Sequence, residues 1–189
     1  MFFFILKWVQ LTEKHVCRAN FLETDCYCLT INRLISIHMH LINLYTRVNN
    51  NQSTTGIINI VFSLLKESNS HLGVVDALNE AQIHQWLEYA LVYVANASNS
   101  SNVQLVLKEL NTILATKTYL VGTQLTIADV FLYYLLLNIM NNLSNLDKET
   151  YLNVSRWFDN IQQDRKLSQK NKLVDFSTIY LANFVPARH

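Results

Sequence analysis

From about residue 53 onward the sequence predicts an all-α protein. Three observations carry that expectation. Apolar residues recur at three- and four-residue steps through successive segments, the period of a helix with one buried face. Thr126 and Asp129 stand three apart, ahead of a run over residues 130–137 that holds no charged side chain. No alternating, period-two pattern is persuasive past residue 50.

Residues 1–28 show no clean period. Over 29–48 the positions Leu34, Ile37, Leu41, Leu44, Tyr45 and Val48 fit a 3.6-residue repeat and predict a helix. Residues 49–53 form a polar break, the best linker candidate in the chain. Thr54 or Thr55 then caps a helix with Ile57, Ile58, Val61, Leu64 and Leu65 on one face. A connector over 68–79 leads to a helix from about 79 to 95, with Ile83, Trp86, Leu87, Ala90, Leu91 and Val94 inward. After a small-polar loop, 96–101, Val106, Leu107, Leu110, Ile113 and Leu114 mark the next helix, about 103–115.

The central helix is expected over 126–142. Thr126 and Asp129 have the spacing of a capping box, in which each side chain accepts from the other residue's backbone N–H. Leu125 and Val130 occupy the staple positions, and Gly122 is free to take positive φ just upstream. A helix apolar on every side is a buried one. A loop ends near Asp147, and a further helix turns Tyr151, Val154, Trp157, Phe158 and Ile161 inward. A last amphipathic piece spans about 173–184 and stops before Pro186.

Composition narrows the function. Of 189 residues half are apolar, enough for a real core, and the net charge is +1. A near-neutral chain with scattered Lys and Arg lacks the basic excess of a nucleic-acid surface. Cys17, Cys26 and Cys28 are an odd count without extracellular spacing, so reduced thiols in the cytosol are expected. Cys26 and Cys28 with His38 and His40 do not match a recognised zinc spacing, and no metal is assigned. Residues 1–6 are apolar but short, Lys7 interrupts them, and no small-residue cleavage site follows. Five Asn-x-Ser sequons, at Asn51, Asn96, Asn99, Asn142 and Asn153, follow from an asparagine-rich composition rather than from secretion.

Gly122 with Thr126-Ile127-Ala128-Asp129, opening a buried helix, resembles the C-terminal domain of glutathione transferase-like proteins. Two further blocks narrow the resemblance: Gln85-Trp86-Leu87-Glu88-Tyr89, and the stretch from Tyr151-Leu152-Asn153-Val154-Ser155-Arg156-Trp157-Phe158 to Gln162. In that order and spacing they resemble the elongation factor-1 epsilon chains, auxiliary scaffolds of the multi-aminoacyl-tRNA synthetase complex. The resemblance covers about residues 54–162. It implies a glutathione transferase C-terminal-like helical bundle, preceded by a divergent or truncated N-terminal region without a complete thioredoxin-like domain. The implied division is 1–52 divergent, 53–78 the last helix of a transferase-like N-terminal domain plus connector, and 79–189 the helical domain. It implies as partners methionyl-tRNA synthetase, the glutamyl-prolyl synthetase and sibling scaffolds, with a cytoplasmic location and a nuclear DNA-damage role.

Catalysis is not expected. A working glutathione transferase needs an early thiolate-holding residue and a cis-proline, and the only proline is Pro186. Ser53-Thr54-Thr55-Gly56 stands where a Glu-Ser pair would take the γ-glutamyl end. The six histidines are dispersed, and the three glycines, Gly56, Gly73 and Gly122, form no phosphate loop. Asp129 is accounted for by its capping box. No catalytic, cofactor or metal residue is therefore assigned. The competing readings are a residual glutathione transferase and a chain whose first fifty residues are an aberrant start. The residue assigned to partner binding is Arg156, which helical geometry sets away from Val154 and Trp157. Its guanidinium offers a planar fork for pairing or stacking, against the alternative of an intramolecular pair with Asp159.

Overall fold

The computed structural model describes residues 46–49, 52–67, 72, 76–168 and 171–176. Thr46–Asn49 (β1) and Gln52–Thr55 (β2) pair as an antiparallel hairpin, Thr46 opposite Thr55 and Asn49 opposite Gln52. This corrects two expectations, a helix running through Val48 and no strand past residue 50. The remainder of 29–48 and the cysteine–histidine group lie outside the described residues. Thr46, Val48, Thr54 and Thr55 are β-branched, and such side chains fit a pleated ladder better than a helix. With so few apolar members, the strands show no period-two contrast to read. The boundary drawn at 52/53 falls inside β2.

Gly56, at φ 88°, turns the chain from β2 into α1, Ile57–Glu67. Arg47 ties the hairpin to that helix: its two terminal nitrogens meet the Glu67 carboxylate at 2.7 Å each, and Nη1 also donates to Ser63 Oγ at 3.0 Å.

Helix α2 is Ala77–Tyr89, starting two residues before the expected 79 because Asp76 caps it, accepting from the Asn79 N–H at 2.7 Å. It continues without a break into one π-helical turn, Ala90–Val94, where Ala95 N–H reaches back to the Ala90 carbonyl at 2.8 Å. Asn96 then donates to the Leu91 and Val92 carbonyls and closes the end. Asn99 caps α3, Ser100–Ile113, which tightens into a 3₁₀ turn over Leu114–Thr116.

Helix α4, Ile127–Asn142, is the centre of the bundle. Every residue from Ile127 to Tyr134 is buried, as are Leu136 and Met140. It packs against α2, its π turn and α6. Where a loop was expected up to Asp147, Ser144 instead caps a short helix α5, Asn145–Thr150. Helix α6, Leu152–Gln162, turns Val154, Trp157, Phe158 and Ile161 into the core, and α7, Arg165–Ser168, follows. Tyr133 and Phe158 meet with ring centroids 4.6 Å apart.

The helix expected from residue 173 is absent over 173–176, and its remainder lies outside the described residues. Gln162 explains the difference: its amide accepts from the Val174 N–H at 3.0 Å and donates to the Val174 carbonyl at 2.9 Å. In a helix the N–H and C=O of one residue point opposite ways along the axis, so one side chain cannot take both.

Candidate partner-binding surface

The site is assembled by three consecutive residues of α6. Ser155 Oγ donates to the Lys148 carbonyl at 2.8 Å, tying α6 to α5. Trp157 points inward and donates its indole N–H to Asp129 Oδ1 at 3.0 Å. Arg156 points outward, and its Nη2 donates to the carbonyls of Leu114 and Lys117, both at 2.8 Å. Ser-Arg-Trp thus joins α6 to α5, to the end of α3 and to the start of α4. Asn153 adds a fourth tie, donating its backbone N–H to Asn111 Oδ1 and its side-chain amide to the Asn111 carbonyl on α3.

Asp129 is fully buried and accepts four hydrogen bonds. Oδ1 takes the Leu120 N–H at 2.9 Å as well as the Trp157 indole, and Oδ2 takes the Thr126 N–H at 3.1 Å and the Thr126 hydroxyl at 2.9 Å. Both halves of a capping box are present, with Thr126 as N-cap in extended backbone. The half running to Thr126 Oγ1 is the weaker, because the Asp129 N–H also meets the Thr126 carbonyl at 3.1 Å. Sequence reasoning found the box but missed the two long-range donors, Leu120 and Trp157. Burial pushes the Asp129 carboxyl above its ordinary range, and the four donors pull it back part of the way. A carboxylate whose neighbours are all donors, sealed from water, is equipped to hold structure and not to exchange protons with a substrate.

Arg156 stays exposed while bonded at both Nη2 hydrogens. Each bidentate fork of a guanidinium includes an Nη2 hydrogen, so neither fork is open to a carboxylate. Those in-plane bonds leave the flat face of the guanidinium unused by them, with single donors remaining at Nη1 and Nε. Asp159 instead accepts from the Gln162 and Gln163 amides. Leu152, one turn before Arg156, is 65% exposed and shares its side of the helix. His84 stacks on Phe62 at 4.0 Å, filling the seam between α1 and α2. Among the described residues no group of acidic, His and Cys side chains could hold a metal, and no helix is long and apolar enough to cross a membrane.

A family model described as nuclear-export cofactor Arc1p matches residues 79–165. Eukaryotic translation elongation factor 1 epsilon-1 of Cricetulus griseus is 40% identical over 131 residues, 69% of this chain and 75% of that protein. The chain belongs to the elongation factor 1 epsilon family. The family's Homo sapiens member is 41% identical over 117 residues, 61% of this chain and 67% of its own. Among solved structures, a class Gtt2 glutathione S-transferase of Vibrio parahaemolyticus aligns with TM-score 0.58 at 18% identity, over 80% of this chain and 94% of that one. The transferase-like domain of elongation factor 1-gamma from Saccharomyces cerevisiae gives 0.55 at 16%, over 80% and 90%. At such identities these two likenesses speak for the fold alone, and the fold of this epsilon-family chain is glutathione transferase-like.

Proposed function

We propose that the chain is a non-catalytic scaffold of translation. It docks on aminoacyl-tRNA synthetases, the methionyl and glutamyl-prolyl enzymes, and on sibling scaffolds, through their transferase-like domains. The observation that carries this reading is kinship at 40% identity across three quarters of a protein named as a translation elongation factor. We assign residues 53–78 to the close of a transferase-like N-terminal domain and 79–189 to the helical domain. The family match beginning at residue 79 supports that division. The chain acts in the cytoplasm and also enters the nucleus, a reading supported by the matched family's description as a nuclear-export cofactor.

In this proposal Arg156 meets the partner. Two carbonyls hold its guanidinium in place before binding, so little side-chain freedom remains to be lost, and its face is free for a planar group to stack on. Arg156→Lys separates docking from folding. An ammonium still reaches the Leu114 and Lys117 carbonyls but offers no plane. With purified methionyl- and glutamyl-prolyl-tRNA synthetases, the Lys variant is expected to melt close to wild type and to lose co-elution. Co-elution at wild-type strength would leave Arg156 a purely structural residue.

A further inference from the structure

A second contact between α3 and α6 lies one turn from the Arg156 guanidinium. Tyr151, ahead of α6, gives that helix no side-chain cap. Asn111 of α3 supplies one from outside: its Oδ1 accepts the Asn153 N–H at 2.9 Å, a donor that the start of a helix leaves without a partner. The Asn153 side-chain amide also donates to the Asn111 carbonyl, at 3.0 Å. Arg156 does the converse at the end of α3, where it takes the carbonyls of Leu114 and Lys117 around the closing 3₁₀ turn. Each helix thus caps the other.

From Asn111 to Leu114, and from Asn153 to Arg156, is a step of about one turn in the same sense. The two contacts are therefore successive rungs between the same pair of helices. Attachment to the core does not rest on the first rung. Leu107, Leu110 and Leu114 of α3 and its 3₁₀ turn bury completely, as do Val154 and Phe158 of α6. Apolar contact is non-directional, however, and leaves two packed helices free to slide and roll a little. Hydrogen bonds that use both the side chain and the backbone of Asn111 remove that freedom, because each tolerates only a narrow range of length and angle. Register fixed there keeps two carbonyls of α3 where one Arg156 nitrogen can meet both.

We propose that Asn111, acting through Asn153, is a positioning residue for docking: it fixes α3 against α6 so that Arg156 is aimed before a partner arrives. This rests on the reading of Arg156 as the partner contact. A loose arginine side chain samples many rotamers, and a partner that binds it has to take that freedom away. With Asn111 in place, most of the loss has been made on folding.

The test reads Arg156 directly, by side-chain NMR of the isotope-labelled full chain. Nη2 hydrogens held by two carbonyls should turn slowly and give their own resonances at low temperature. Arg156→Lys, which lacks them, assigns the signal. In Asn111→Ala that signal is expected to merge with those of mobile arginines, and affinity for the methionyl and glutamyl-prolyl synthetases to fall about three- to tenfold. Asn111→Asp keeps the oxygen that accepts the Asn153 N–H and is expected to restore both readings. A purely structural staple would lower the melt and leave the Arg156 resonances in place, and that result overturns the proposal. So does an Arg156 signal released with no change in affinity. If Asn111→Ala melts too low to titrate, Asn153→Ala, which removes the other bond, gives the same two readings. Arg156→Lys binding at wild-type strength would sink the docking reading and this proposal with it, an outcome told apart because Asn111 is intact in that variant.

Discussion

Asp129 accepts four hydrogen bonds and stands beside only one group able to reverse its role, the Thr126 hydroxyl. Asp129→Asn would turn an acceptor into an NH₂ facing donors, leaving buried donors unmatched at a cost of about 2–3 kcal/mol. Urea denaturation near neutral pH should show that loss; a midpoint at wild type would refute the four-donor account. The pH dependence follows from the raised carboxyl. A native pKa above the unfolded one means that the folded state holds the proton more tightly. The group's contribution is therefore full below the unfolded value and is lost as pH rises through the native one. Wild type should accordingly lose stability through that interval relative to Asp129→Asn, so the variant's deficit is greatest in acid and narrows upward. A deficit that widens with pH would reverse the sign. Thr126 and Asp129 were legible in the sequence because a capping box is local. Leu120 and Trp157 were not, since nothing in residue spacing says which side chain from α6 meets the start of α4.

At the scale of the elements, what was legible is what has a period. The core-facing positions of α2, α3 and α6 were read from three- and four-residue steps and α4 from its unbroken uncharged run, and the structure buries Ile83, Leu107, Phe158 and Val130. Elements fixed by hydrogen bonds rather than by apolar rhythm escaped. The hairpin is mostly polar, α5 is six residues held by its Ser144 cap, and the path of 172–176 is fixed by the Gln162 amide on Val174 and by Lys148 on the Asp175 carbonyl. The π turn escaped for a different reason: one residue more per turn hardly disturbs an apolar pattern. The entry to α4 offers two measurements. Thr126→Ala should lower stability by about 0.5–2 kcal/mol, the usual cost of a lost cap. Gly122→Ala meets no neighbour within 4 Å but sits at φ 67°, so it should cost about 1 kcal/mol through backbone strain alone. Thermal melts of the two variants check both. Gly122→Ala melting with wild type would mean that the loop relaxes to negative φ.

Taken as a whole, the molecule shares its fold with enzymes and carries a polar centre that faces inward. Isothermal titration with glutathione is expected to show no binding tighter than about 1 mM, near −4.1 kcal/mol. A tighter constant would bring back the transferase reading. The bond from Trp157 to Asp129 also makes the chain its own spectroscopic gauge. Trp157 lies in a dry interior while Trp86 sits half-open on α2, so their indoles sample different solvents. An iodide quencher would dim the second and spare the first. The Trp157 indole proton, held by a carboxylate, would exchange with deuterium only when α6 lifts from α4. Its exchange rate would time the opening of the bundle, while quenching of Trp86 registers whatever settles on the outside.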